Sequence, residues 1–217
     1  MRKLTALALG VLMIMGVSVR RAEALSFDLN CTLSGSGCAP SASFGTLTLT
    51  DNGNNVDVFV DLIGLGIHKI QSFYLNYDDS LFSNASAFNT TSSIGVQVGE
   101  NAKQANGYST GKFDLRLPNP PPGNLGTEPF SDTITLGAFN LNPGHFNFLD
   151  SSGLLYAAVH IGNIACASAS CIGQSGNDSI WVGSRQAPVS VPEPATLILL
   201  GAGMVGLFAA RRLQEQK

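Results

Sequence analysis

Charge is scarce in this chain. Lys, Arg, Asp and Glu together supply only 12% of its 217 residues, about half the share usual in soluble globular domains. Between the two ends no long apolar stripe repeats every 3.6 residues, which argues against a helical bundle or a fold built on amphipathic crossover helices. Histidine is limited to His68, His145 and His160, too scattered for a zinc pattern. No serine stands in G-x-S-x-G, and neither H-E-x-x-H nor a P-loop occurs. An EF-hand loop starting at Asp51 fails at its third position, Gly53. No catalytic residue and no metal ligand is assigned on these grounds, and no cofactor is expected. Asp51, Asn54 and Asp78 carry oxygens of the kind calcium takes, without forming an assigned site.

Acidity dominates the charge that is present. Residues 25–191 hold 10 Asp and 2 Glu against 3 Lys and 2 Arg, a net charge of −7. Such a domain has no electrostatic footprint for nucleic acid or anionic lipid; calcium or a neutral sugar suits it better. Most remaining basic residues flank the two apolar ends of the chain, where membrane topology uses them.

The first end has the parts of an export signal. Arg2 and Lys3 precede an apolar run from Leu4 to Val19, and Ala22-Glu23-Ala24 places small residues at −3 and −1 of a cleavage site before Leu25. Residues 1–24 are therefore expected to be a signal peptide, with an uncleaved anchor as the alternative. All four cysteines fall beyond it, Cys31 near Cys38 and Cys166 near Cys171. An even number in an oxidising compartment favours disulfides. Three connectivities exist; pairing within each couple is preferred because it closes the shortest loops. Metal binding is the competing reading, weakened because neither spacing is C-x-x-C.

The middle, residues 25–186, reads as one all-β ectodomain, an antiparallel β-sandwich of jelly-roll type. Thr46–Thr50 and Val56–Ile63 alternate around the turn cluster Asp51-Asn52-Gly53-Asn54-Asn55, a hairpin signature. Further strands are expected at 70–77, 94–98, 113–117, 133–139, 154–161 and 180–182. Residues 25–40 read as an irregular opening, and Pro120-Pro121-Pro122 as a surface loop. Asp57 and Asp61 share a strand face, and Asp78-Asp79 begins a turn; a solvated face and a turn account for them. Trp181, Tyr74, Tyr77 and Tyr108 are candidates for an exposed aromatic face, with core packing as the other role.

The second end is the most specific. Residues 187–194 read as a linker closing with Val191-Pro192-Glu193-Pro194. The uncharged stretch 195–210 follows, long enough as a helix to span about 24 Å. Arg211 and Arg212 then act as a membrane stop, holding residues 211–217 on the cytoplasmic side and the ectodomain outside. The G-x-G-x-x-G at Gly201, Gly203 and Gly206 lacks the βαβ unit and acidic partner of a dinucleotide site, and reads as small residues of a membrane helix.

This order of parts resembles the PEP-CTERM sorting signal, a tail also catalogued as an ice-binding-protein C-terminal domain, a label that does not imply ice binding. The resemblance implies processing by an exosortase, a membrane cysteine peptidase, with Pro192, Glu193 and Pro194 as its recognition element. It further implies a surface or extracellular protein associated with polysaccharide or biofilm matrix. A plain one-helix anchor is the alternative for the tail. For the ectodomain, a non-enzymatic surface protein is the first reading and a carbohydrate-binding or adhesive module the second. A secreted hydrolase comes third, for want of a visible catalytic constellation.

Overall fold

The structure is a computed structural model that describes residues 23–35, 37–63, 69–92, 95–118, 130–137, 139–164 and 178–192, together with Gly203 and Arg211. The chain divides into two compact units, one of residues 23–192 and one of residues 1–22 with 193–217. The first unit consists of β1 (Glu23–Asp28), β2 (Cys31–Ser34), β3 (Gly37–Pro40), β4 (Gly45–Asn52), β5 (Asn55–Leu62), β6 (Lys69–Leu75), β7 (Phe88–Thr90), β8 (Gln97–Lys103), β9 (Phe113–Pro118), β10 (Phe130–Leu136), β11 (Ala157–Ile164), β12 (Asp178–Ser184) and β13 (Val189–Pro192). Short 3-10 helices occupy Asp79–Ala87 and Pro143–Phe146.

Two antiparallel sheets result. The first runs β13-β1-β4-β5-β10-β7 and the second β3-β2-β12-β11-β6-β9-β8. Alternation decides which side of each strand is buried. On β5, Val56, Val58 and Val60 are wholly buried while Phe59 between them is 38% exposed. They meet Leu47 and Leu49 of β4 in the first sheet, and Phe73, Leu115 and Val159 of the second, in one shared core. Each such side chain contributes about 1.5–3 kcal/mol on burial, so this apolar layer between the sheets is the main source of stability. The expected hairpin forms as β4 and β5, with Asn52 opposite Asn55 across Gly53-Asn54.

The irregular opening expected over residues 25–40 is instead three strands. Leu25, Phe27, Leu29, Cys31 and Leu33 are all buried, a period of two that runs through Asp28 and Asn30 without a break. The chain changes sheets within it. Leu29 donates its N–H to the Gly45 carbonyl of the first sheet at 2.9 Å, and Asn30 donates to Gly183 of the second at 3.0 Å. Cys31 and Cys38 then form a disulfide across the β2–β3 hairpin, with Cα atoms 5.4 Å apart. The other expected disulfide, Cys166–Cys171, lies outside the described residues.

Among the described residues no helix is long and apolar enough to cross a membrane. The expected membrane helix at 195–210 lies outside them except for Gly203, which is helical, as is Arg211. The expected signal peptide is outside them as well, apart from Glu23 and Ala24.

Candidate functional site

The outward face of the second sheet carries a second, smaller apolar cluster. Tyr74, Ala158, Phe113 and Tyr108 pack there with the Cys31–Cys38 disulfide, and Trp181 lies against them. The loop after β8 folds over this face. Ala105 and Tyr108 are buried in it, while Gln104 donates its amide N–H to the Tyr108 carbonyl at 3.0 Å.

Beside the covered part a pocket of about 340 Å³ remains open, near the small end of the roughly 300–1,000 Å³ typical of ligand sites. One wall is a cross-strand pair, His160 of β11 opposite Trp181 of β12. Their rings stack with centroids 4.1 Å apart. His160 faces outward because Val159 and Ile161, its neighbours, face the core. The floor is Tyr74, whose ring lies 5.5 Å from that of Trp181. Across β9, Arg116 pairs with Tyr74 in register and sets its guanidinium over the Tyr74 ring at 5.7 Å, a cation–π geometry.

A bulge shapes the remaining edge. Between β6 and β11 the register shifts, so that His160 opposes Ser72 while Ile161 opposes Ile70. Gln71 is the extra residue, and the slip brings both Gln71 and Ser72 to the pocket. Gly162 permits this, because any Cβ there would overlap the Gln71 side chain. Gln104 and Asn106 complete the rim.

Burial pushes the His160 imidazole down to about 4, with the Arg116 charge acting in the same direction. The ring is therefore neutral at neutral pH. The Tyr74 phenol is raised by burial, against a smaller opposing pull from Arg116. Arg116 Nε and His160 Nε2 are buried and have no hydrogen-bond partner among the described residues.

Of the aromatics named from sequence, the structure brings Trp181 and Tyr74 together at the pocket. Tyr77 packs in the main core against Phe82 and Phe88. Tyr108 is buried, its hydroxyl hydrogen-bonded with Ser152 at 2.5 Å. Sequence reasoning missed Arg116, Gln71, Gln104 and Asn106. The one signal available was Arg116 itself, an arginine within the alternating strand Phe113–Leu117.

Carboxylates lie elsewhere. Asp57 is bonded to Asn52 and Thr133, Asp61 is exposed further along the same strand, β5, and Asp78 accepts the Ser80 N–H at 2.9 Å. Among the described residues no three His, Cys, Asp or Glu side chains gather closely enough to hold a metal ion.

The sorting residues are split by the boundary of the fold. Val191 and Pro192 belong to β13, within the stretch read from sequence as linker, and pair with Ala24 and Glu23 of β1. Ala24 is buried and pairs on its other side with Thr50. Arg211 is helical and exposed. Ala22, Glu193, Pro194 and Arg212 lie outside the described residues.

No curated protein and no solved structure matches the chain. A family match covers residues 190–212 alone, and there it is to the PEP-CTERM protein-sorting motif. The chain thus carries a PEP-CTERM sorting signal, which supports an exported protein processed by an exosortase.

Proposed function

We propose that this is an exported, non-enzymatic bacterial surface protein that an exosortase processes at Pro192-Glu193-Pro194 and that associates with extracellular polysaccharide or biofilm matrix. The observation carrying this reading is the sorting-motif match at residues 190–212. The Cys31–Cys38 disulfide supports it, since such bonds persist in oxidising compartments. In the precursor, residues 195–210 cross the inner membrane with Arg211 and Arg212 on the cytoplasmic side, as the positive-inside rule orients such a segment.

Intact-mass measurement of the protein recovered from its host, from membrane and from medium, tests this. The expected product begins at Leu25 and lacks everything beyond the Pro-Glu-Pro segment. Full-length chain confined to the inner membrane would overturn the processing step.

A second reading, a carbohydrate-binding or adhesive module, is favoured by the pocket on the second sheet. Its aromatic wall and its rim of amides and a hydroxyl are the groups that sugar recognition uses. Glycan-array binding by the secreted form is the expected outcome, and an array without hits would remove this reading while leaving the sorting reading intact.

A further inference from the structure

The pocket departs from the charge of the domain around it. Acids outnumber bases more than two to one over residues 25–191, yet none of the side chains around the pocket is a carboxylate. Arg116 is the single fully charged cation in the lining, since His160 is neutral. Its guanidinium rests over Tyr74, its Nε is buried without a hydrogen-bond partner, and it forms no ion pair among the described residues. Arg116 is only half-buried and its guanidinium lines the open pocket, and the group that best matches such a fork of parallel N–H donors is a carboxylate.

The remaining polar lining has a different chemistry. Gln71 and Asn106 carry amide donors and an acceptor, Gln104 keeps its acceptor and one N–H beyond the one given to Tyr108, and Ser72 adds a hydroxyl. Groups of that kind match neighbouring hydroxyls, which also donate and accept. Trp181, stiffened by its stack on His160, adds an apolar wall.

From this juxtaposition we propose that the pocket binds a carboxylate-bearing sugar unit, with Arg116 on the carboxylate and the amides on the hydroxyls. This rests on the carbohydrate-binding reading above and narrows it to acidic sugars. Salt screens exposed charges beyond about 8 Å, so one guanidinium can serve one carboxylate even in an acidic domain. A dense polyanion such as nucleic acid, which needs many cations, is not served.

Trp181 is the only tryptophan in the chain, so its emission reports on this pocket alone. The experiment titrates full-length protein in detergent with trigalacturonic acid, neutral galactotriose and sodium acetate, following that emission. Trigalacturonic acid is expected to bind about tenfold or more tighter than galactotriose, with Arg116→Gln abolishing the preference. Should that variant not fold, Arg116→Lys keeps the charge without the fork and is expected to weaken trigalacturonate binding selectively. Equal affinities, a preference that survives the loss of Arg116, or an equal response to acetate would overturn the proposal. Galactotriose binding without acid preference would leave the carbohydrate reading standing. A response to none of the three would overturn the acidic-sugar proposal and leave the carbohydrate reading to the glycan array.

Discussion

Trp181 lies parallel to His160, their ring planes only 3° apart, on adjacent strands of one sheet. The imidazole is held down to about 4 by burial and by Arg116, against an ordinary value near 6.5. Between these values the unfolded chain takes up a proton that the folded chain refuses, so stability falls as pH drops through that window. The expected outcome is a denaturation midpoint that declines from pH 7 to pH 4.5, with a smaller decline in His160→Gln. A protonated imidazole also quenches a stacked indole, so Trp181 emission should titrate near pH 4 and lose that step in the variant. A step near pH 6.5 in the folded protein would contradict the buried, neutral ring.

Asp132 is the counterpart with the opposite sign. Its carboxylate accepts bonds from the Thr91 hydroxyl at 2.9 Å, the Thr133 N–H at 2.8 Å, the Ser92 N–H at 3.3 Å and the Ser92 hydroxyl. Burial alone would raise its pKa, but the hydrogen bonds outweigh burial and the net shift is downward. Its contribution is complete above the ordinary carboxylate range and is lost as pH falls through the lowered value. Asp132→Ala is expected to cost about 1–3 kcal/mol at pH 7 and less in acid, measured by urea unfolding at both pH values.

Gly45 and Gly37 separate strain from mere glycine content. Gly45 has a φ of 137°, and a Cβ there would run into the Asp61 carbonyl of the paired strand. Gly37 has open space where its Cβ would lie and is not among the positive-φ residues. Gly45→Ala should lower stability by about 2 kcal/mol or more, while Gly37→Ala should change it by less than about 1 kcal/mol. Thermal or denaturant melts of the two variants compare them directly, and equal losses would refute the clash.

The Cys31–Cys38 disulfide closes a short loop, seven positions apart in sequence. By chain entropy such a loop is worth about 2.5 kcal/mol. Replacing both cysteines with serine should therefore lower the unfolding free energy by about that amount. Peptide mapping without reduction should recover Cys31 and Cys38 in one linked fragment; a link from either to Cys166 or Cys171 would overturn the pairing.

Much of the sheet structure was legible because alternation is a local signal. Val56, Val58 and Val60 declare a buried face without reference to any other part of the chain. The nearby spacing of Cys31 and Cys38 likewise contained its own answer. The strands at residues 23–40 carried the same alternation, from Leu25 to Leu33, but Asp28, Asn30 and the Gly–Ser cluster around Gly35 made it look like loop. The chain was changing sheets there, which a single-strand pattern does not announce. The pocket was illegible for a stronger reason. Its parts come from Gln71 to Trp181, and Gln71 reaches it only through a bulge that depends on the register of β6 against β11. Arg116 and His160 meet across two strand pairings, and nothing near either residue in sequence predicts the other.

The pairing of Pro192 with Glu23 exists only while the chain keeps the residues before Leu25. Removal of a leader ending at Ala24, as proposed above, takes away the partners of Val191 and Pro192 together, so that Ser190 opposite Leu25 becomes the last rung of this edge. That frees two residues ahead of Glu193 without any peeling, and an enzyme that needs more must draw β13 away from β1. That strand is short and lies at the sheet's edge, where such unzipping disturbs a single neighbour. Under the proposed processing, trimming the start of the chain thereby loosens its far end.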